Sequence, residues 1–279
     1  MSRFITAADG VQLWADDLGD PAHPPLLLIM GANAAGYTWP DAFVGLLAET
    51  HHMIRYDHRD TGKSTHAFAE NPYAITDLAA DAVAVLDGFG VEKAHVVGMS
   101  MGGIVGQLLL LDHPDRLRTM TLLCTAALFG ADSPEWAGPS PELLALWQEL
   151  GQPRDRAAEI DWRVRHWKIL NGGVIPFDEA EFRRMEERII EHAGTHTEFP
   201  AHAHADTSGL VRGDELTTVR IPTLVVQGPE DPVNPPPQGE HIAKLIPGAE
   251  LLEIPGMGHA LPSAVHGPLA EAVLKHARL

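Results

Sequence analysis

The chain has 279 residues, a formal net charge of −18, 45% hydrophobic and 21% charged residues. So acidic a surface repels phosphate backbones and anionic headgroups, which argues against nucleic-acid and membrane partners and favours plain solubility. Cys124 is the only cysteine, which excludes an intrachain disulfide and a cysteine-based zinc site.

The N-terminal stretch "MSRFITAADGVQLW" lacks a basic head before an apolar run, so no signal peptide is expected. No apolar run approaches the length of a membrane span. A cytoplasmic protein is therefore the expectation. "FITAADGVQLWADDLG" alternates and reads as two strands joined at Asp9-Gly10, a strong hairpin dipeptide. "PPLLLIMG" is continuously apolar and ends in glycine, which suits a strand buried on both faces. Residues 39–49 read as a helix and "MIRYD" (53–57) as the next strand. Leu78, Ala82, Val85 and Leu86 have helical spacing, with Thr76 as the expected cap.

"HVVGM" then reads as a strand, 101–112 as a helix and "MTLLC" (120–124) as a strand. Strands alternating with helices imply a parallel sheet with right-handed crossovers. The rhythm breaks near Phe129. Helical patterns follow at 141–150, 155–170 and 178–193, with Ile160, Val164 and Trp167 on one face and Phe182, Met185 and Ile189 on another. It resumes with "IPTLVVQG" (221–228), a helix at 237–246, "LLEIPG" and a last helix from 263. The expected organisation is an α/β core of residues 1–129 and 216–279, with 130–215 inserted as a helical cap.

Gly98-Met99-Ser100-Met101-Gly102 fits G-x-S-x-G between a strand and a helix. Such a serine sits on a sharp turn so that its hydroxyl projects above the sheet edge. Side chains two residues before and after would meet neighbouring backbone, so glycine is needed at both places. Gly103 and Gly106 would let the helix pack close to the sheet. A serine hydroxyl is a poor nucleophile until a base and an orienting acid activate it.

Position must choose among 16 histidines. His259, in "EIPGMGHALP", lies after the last strand, and Asp231, in "VVQGPEDPVNP", lies just past the preceding one. Both should open on the same sheet edge as Ser100. Glu230 is the rival acid; the proline after Asp231 favours Asp231. Acyl transfer also needs donors for a developing oxyanion. The Met101 amide, at the helix start, and the Ala32 amide, in the loop after "LLLIM", are the candidates.

With these residues in hand the chain resembles the α/β-hydrolase superfamily and, within it, the aclacinomycin methylesterases, which tailor polyketides. The resemblance rests on "IRYDHRDTG" (54–62), "LAADAVAVLDG" (78–88), "AHVVGMSMG" (94–102) and "EIPGMGHALPSAVHGPLAE" (253–271). It implies an α/β-hydrolase fold with Ser100 as nucleophile, Asp231 as acid, His259 as base, and Ala32 and Met101 as oxyanion donors. No metal or organic cofactor is implied. The methylesterase pattern has a second glycine where this chain has Ala32.

"DHRDTGKS" (57–64) ends like a phosphate-binding loop, but Asp57 stands where that loop needs glycine. It reads as a turn, with Arg59 and Asp60 holding structure. "HAHAD" (202–206) reads as an exposed cap loop rather than a metal site. Trp136, Trp147, Trp162 and Trp167 fall in the insertion, where aromatic faces either line a pocket for a bulky, flat group or pack helix to helix. His166 and His192 invite only the packing reading.

The expected activity is cofactor-free hydrolysis of a small-molecule carboxylic ester through an acyl-enzyme. Two alternatives stay open from sequence: a perhydrolase on the same scaffold, and a non-catalytic binding protein. Oligomeric state is not legible.

Overall fold

The structure is a computed structural model that describes residues 1–130, 137–197 and 199–279; Trp136 lies outside them. Its centre is one eight-stranded sheet in the order β1-β2-β4-β3-β5-β6-β7-β8. The strands are β1 (Arg3–Thr6), β2 (Gln12–Leu18), β3 (Pro25–Ile29), β4 (His52–Tyr56), β5 (Ala94–Met99), β6 (Leu117–Leu123), β7 (Thr223–Gln227) and β8 (Glu250–Glu253). β1 and β2 form the expected hairpin, turning at Gly10 with φ 89°. β2 runs against both its neighbours, while β3 to β8 are mutually parallel.

The central parallel strands β3 and β5 are buried on both faces, which explains their apolar runs, whereas β8 at the sheet edge is largely exposed. In β3, Leu27 and Ile29 face a core layer shared with α2 (Asp77–Gly88), α3 (Met101–Asp112) and α7 (Gln238–Leu245). Leu26 and Leu28 face the opposite layer, filled by α1 (Asp41–Ala48) and α8 (Ser263–His276). Successive side chains of a strand point to opposite faces, so one run of leucine supplies both layers.

Thr76 does not cap α2. Its backbone is already helical (φ −63°, ψ −29°) and its side chain makes no capping hydrogen bond. A capping hydroxyl needs extended dihedrals to turn back onto the first-turn amides.

Between β6 and β7 lie α4 (Pro141–Trp147), α5 (Arg156–Leu170) and α6 (Glu179–Ala193). Ser140, Asp155 and Asp178 each accept a first-turn amide, and Gly194 closes α6 at φ 73°. α4 stops at Trp147, short of the 150 expected, and a turn through Gly151 at φ 76° follows.

α6 is tied down to the sheet edge. His192 Nε2 lies 2.7 Å from Asp57 Oδ2, both buried, and the ring stacks on Tyr37. Arg188 reaches Asp41 and, at 2.7 Å, the Tyr37 carbonyl. The 57–64 turn is structural as expected: Arg59 forks onto the buried Asp81 at 2.6 and 2.7 Å and also holds Asp9. No helix of the described residues is long and apolar enough to cross a membrane.

Candidate active site

The C-terminal ends of the parallel strands open on one edge of the sheet, and the candidate residues gather there. β5 runs straight into Ser100, whose backbone sits at φ 55°, ψ −121°. This region is costly for a residue with a Cβ, so the surroundings must hold it. They do: the Ser100 amide donates to the Leu123 carbonyl at 2.9 Å. Its own carbonyl accepts from the Gly103 amide at 2.8 Å and Thr125 Oγ1 at 2.7 Å.

The flanking glycines have the reason expected of them. A Cβ on Gly98 would stand 2.2 Å from the Gly102 carbonyl oxygen, and one on Gly102 would stand 2.2 Å from that of Ile29. Further along α3, a Cβ on Gly103 would meet Thr125 at 2.6 Å and one on Gly106 the Met120 sulfur at 2.9 Å. Gly102→Ala is therefore expected to destabilise the fold by about 1–3 kcal/mol or more, because backbone cannot give way as a side chain can. A urea melt would read this as a lower midpoint at unchanged slope. An unchanged midpoint would show that the turn has room to move.

β7 leads to Asp231 through a short turn. Asp231 Oδ1 accepts the Val233 and Asn234 amides at 2.7 and 2.9 Å, leaving Oδ2 to face His259 Nδ1 at 2.8 Å. Burial pushes the Asp231 carboxyl up, but the facing His259 and the two amides outweigh this and hold it below the usual value. It is 2% exposed and His259 7%. The His259 amide donates to the Leu170 carbonyl at 2.7 Å, so the end of α5 helps to place the ring. Glu230, the rival acid, makes a backbone bond to Met257 but takes no part in the pair.

Cys124 approaches the same pair: its sulfur, an Asp231 oxygen and a His259 nitrogen lie within 4.8 Å of one another. Burial, first, and then the Asp231 charge push this thiol well up, so it stays protonated.

The two expected oxyanion donors lie beside Ser100. Met101 is the first residue of α3, where helix geometry leaves the amide without an intrahelical acceptor. Ala32 follows Gly31, whose added Cβ would be 3.2 Å from Ser100 Cβ, so the loop after β3 packs directly on the serine. Among the described residues, nothing accepts from the Ala32 amide.

Ser100, His259 and Ala32 line one cavity of about 600 Å³. Trp147, Trp162 and Trp167 also line it, and the edges of Trp147 and Trp167 are tied back. Trp147 Nε1 donates to His166 Nε2 at 3.0 Å, Trp167 Nε1 donates to Glu186, and Trp162 stacks on His166. Because an indole nitrogen only donates, His166 is neutral with its proton on Nδ1. Burial, with His259 and Arg163 nearby, pushes its pKa down to about 4. Helix packing and pocket lining thus coincide in these residues.

Two sequence readings need correction. "HAHAD" is not simply an exposed loop: His202 is 5% exposed and hydrogen-bonds to Asn33 and Arg59. His192 does more than pack, since it pairs with Asp57. Both partners come from distant segments, so no local spacing could have signalled them.

A family model described as the alpha/beta hydrolase fold matches residues 24–262. Rhodomycin D methylesterase DnrP of Streptomyces peucetius is 48% identical, covering 99% of this chain and 98% of that protein. Rhodomycin D methylesterase DauP of Streptomyces sp. (strain C5) is 47% identical over the same shares. A hydrolase of Pseudomonas aeruginosa PA01 superposes with a TM-score of 0.75 at 28% identity, covering 99% of this chain and 97% of that one. An esterase of Exiguobacterium antarcticum superposes at 0.80 over the full length of both chains, at 21% identity, which speaks to fold. The serine on its strained turn, the parallel sheet that carries it and these matches agree: the chain belongs to the α/β-hydrolase fold family.

Proposed function

We propose that this protein is a serine esterase that cleaves the methyl ester of a bulky, flat aromatic acid of the polyketide type. The observation that carries the reading is a single juxtaposition. A serine held at positive φ and an imidazole backed by a buried carboxylate face the same tryptophan-lined cavity. The near full-length identity to two rhodomycin D methylesterases supports the substrate class. As part of the same reading, residues 130–215 act as the cap over that cavity.

In this reading Ser100 Oγ attacks the ester carbonyl while His259 Nε2 takes the hydroxyl proton. The carbonyl electron pair moves onto oxygen, where the Ala32 and Met101 amides receive it. His259 returns the proton to the departing methoxide and methanol leaves. Water then gives a proton to His259 and attacks the acyl carbon; the acyl bond to Ser100 Oγ breaks, His259 returns the proton to that oxygen, and the acid leaves. Asp231 accepts the Nδ1–H throughout, which fixes the tautomer and stabilises the imidazolium. The indole faces supply contact area for a flat ring system at low conformational cost.

A hydrolysis panel running from short p-nitrophenyl esters to methyl esters of polycyclic aromatic acids tests the assignment. The polycyclic methyl esters are expected to show the higher kcat/KM, by about tenfold or more, since apolar burial of an added ring is worth over 1.4 kcal/mol. Preference for the short esters would remove the polyketide-type substrate. Peracid formation with hydrogen peroxide, measured alongside, would bring back the perhydrolase alternative.

A further inference from the structure

The short turn that carries Ala32 is gripped from both sides by histidines with no place in the hydrolytic steps. On one side, His58 Nε2 lies 2.9 Å from the Met30 carbonyl oxygen. A carbonyl only accepts, so His58 carries its proton there. On the other side, the Asn33 amide donates to His202 Nδ1 at 2.8 Å. An amide only donates, so His202 Nδ1 is bare and its proton sits on Nε2, 3.1 Å from the Arg59 carbonyl oxygen that accepts it. The clamp closes with a fourth bond: the His202 amide donates to Asn33 Oδ1 at 3.1 Å.

His58 and Arg59 are adjacent, so one turn after β4 anchors both imidazoles. The rings meet edge to face with centroids 5.4 Å apart. His58 is fully buried and His202 5% exposed. Burial above all, with the nearby Arg59 and, for His202, the neighbouring His58, keeps both neutral, with pKa values pushed down to about 4 for His58 and about 3 for His202. Asn33 itself sits at φ 54°, a conformation that asparagine tolerates but that still needs holding.

We propose that His202, acting through Asn33, is a positioning residue that sets the Ala32 amide toward the oxyanion. It is a strut from Arg59 to Asn33, and it belongs to the segment between β6 and β7. The segment that covers the substrate therefore also shapes the hole that stabilises its transition state. The inference rests on the ester-hydrolase reading and on Ala32 as an oxyanion donor. A donor displaced rather than deleted loses part of its effect, so the expected cost is below the hundred- to thousandfold of outright removal.

The test compares His202→Leu, His202→Asn and Asn33→Gly with the parent enzyme on p-nitrophenyl butyrate. Asparagine places its oxygen near the Nδ1 position and so keeps the acceptor for the Asn33 amide; leucine keeps nothing. His202→Leu is expected to lower kcat about 30- to 100-fold with KM within about threefold, while His202→Asn recovers to within about tenfold of the parent. Asn33→Gly retains the positive-φ backbone but loses one bond, and should lose about three- to tenfold.

Two inhibitors separate positioning from general damage. Phenylboronic acid takes Ser100 Oγ onto boron and becomes a tetrahedral anion that needs the oxyanion donors; benzoate forms no such adduct. Selective weakening of the boronate in step with kcat supports the proposal. Unchanged kcat overturns it, and so does equal weakening of both inhibitors, which would mark a collapsed pocket. If His202→Leu does not fold, the same selectivity is read from His202→Asn and Asn33→Gly. A parent enzyme inactive on the ester would sink the hydrolase reading and this inference together; an active parent matched by its variants sinks this inference alone.

Discussion

Ser100→Ala is expected to lower kcat/KM for any hydrolysed ester by about 10⁴-fold or more, with the fold intact. The proposed covalent route begins at this one oxygen, and removing a nucleophile of this kind leaves only what binding and the oxyanion donors supply. The strained turn gives the prediction a second readout. Alanine keeps the Cβ, and the bonds that hold position 100 are made by backbone and by Thr125, so they survive the substitution. The melting temperature should therefore move little while the rate collapses. A fluorophosphonate probe should label the parent at Ser100 and leave the variant untouched. An unlabelled parent would favour a binding protein on a hydrolase scaffold, and a variant that still cleaves p-nitrophenyl esters would refute the nucleophile.

The second large effect is expected from Asp231→Asn, about 10⁴-fold in kcat, against less than about threefold for Glu230→Gln. Asp231 Oδ1 is engaged by the Val233 and Asn234 amides, so the new amide nitrogen would take the place of Oδ2. It would then donate to His259 Nδ1, forcing the ring proton onto Nε2, where it blocks acceptance from Ser100. The sign of the pH dependence follows from the same site. The Asp231 carboxyl is held below its ordinary value, so it stays charged until well into acid, and its contribution to stability is lost only as pH falls through that lowered value. A fall in rate at milder acidity therefore does not come from Asp231. Equal losses in the Asp231 and Glu230 variants would reopen the choice of acid.

Several features were legible in the sequence because they depend on local chemistry. The leucine run of β3 had to be a strand buried on both faces, because its alternate residues fill opposite layers. Gly98 and Gly102 had to flank Ser100, because backbone passes within van der Waals range of both. Ser100, Asp231 and His259 could be placed at strand ends, since a parallel sheet delivers every such end to one edge. The Thr76 cap failed for a related reason: composition says which residue can cap, but dihedrals decide whether it does.

What the tertiary structure alone decided is which distant groups meet. The Asp231 carboxylate, not that of Glu230, faces His259 across a turn. Trp147, Trp162 and Trp167 both pack and line the cavity: hydrogen bonds to His166 and Glu186 hold the edges of Trp147 and Trp167, while Trp162 stacks on His166. His202 and Asn33 are 169 positions apart, and His192 and Asp57 are 135 apart. Nothing in local periodicity encodes such contacts; they exist only because the segment between β6 and β7 meets the turns after β3 and β4, where burial makes an unpaired polar group costly and so selects its partner.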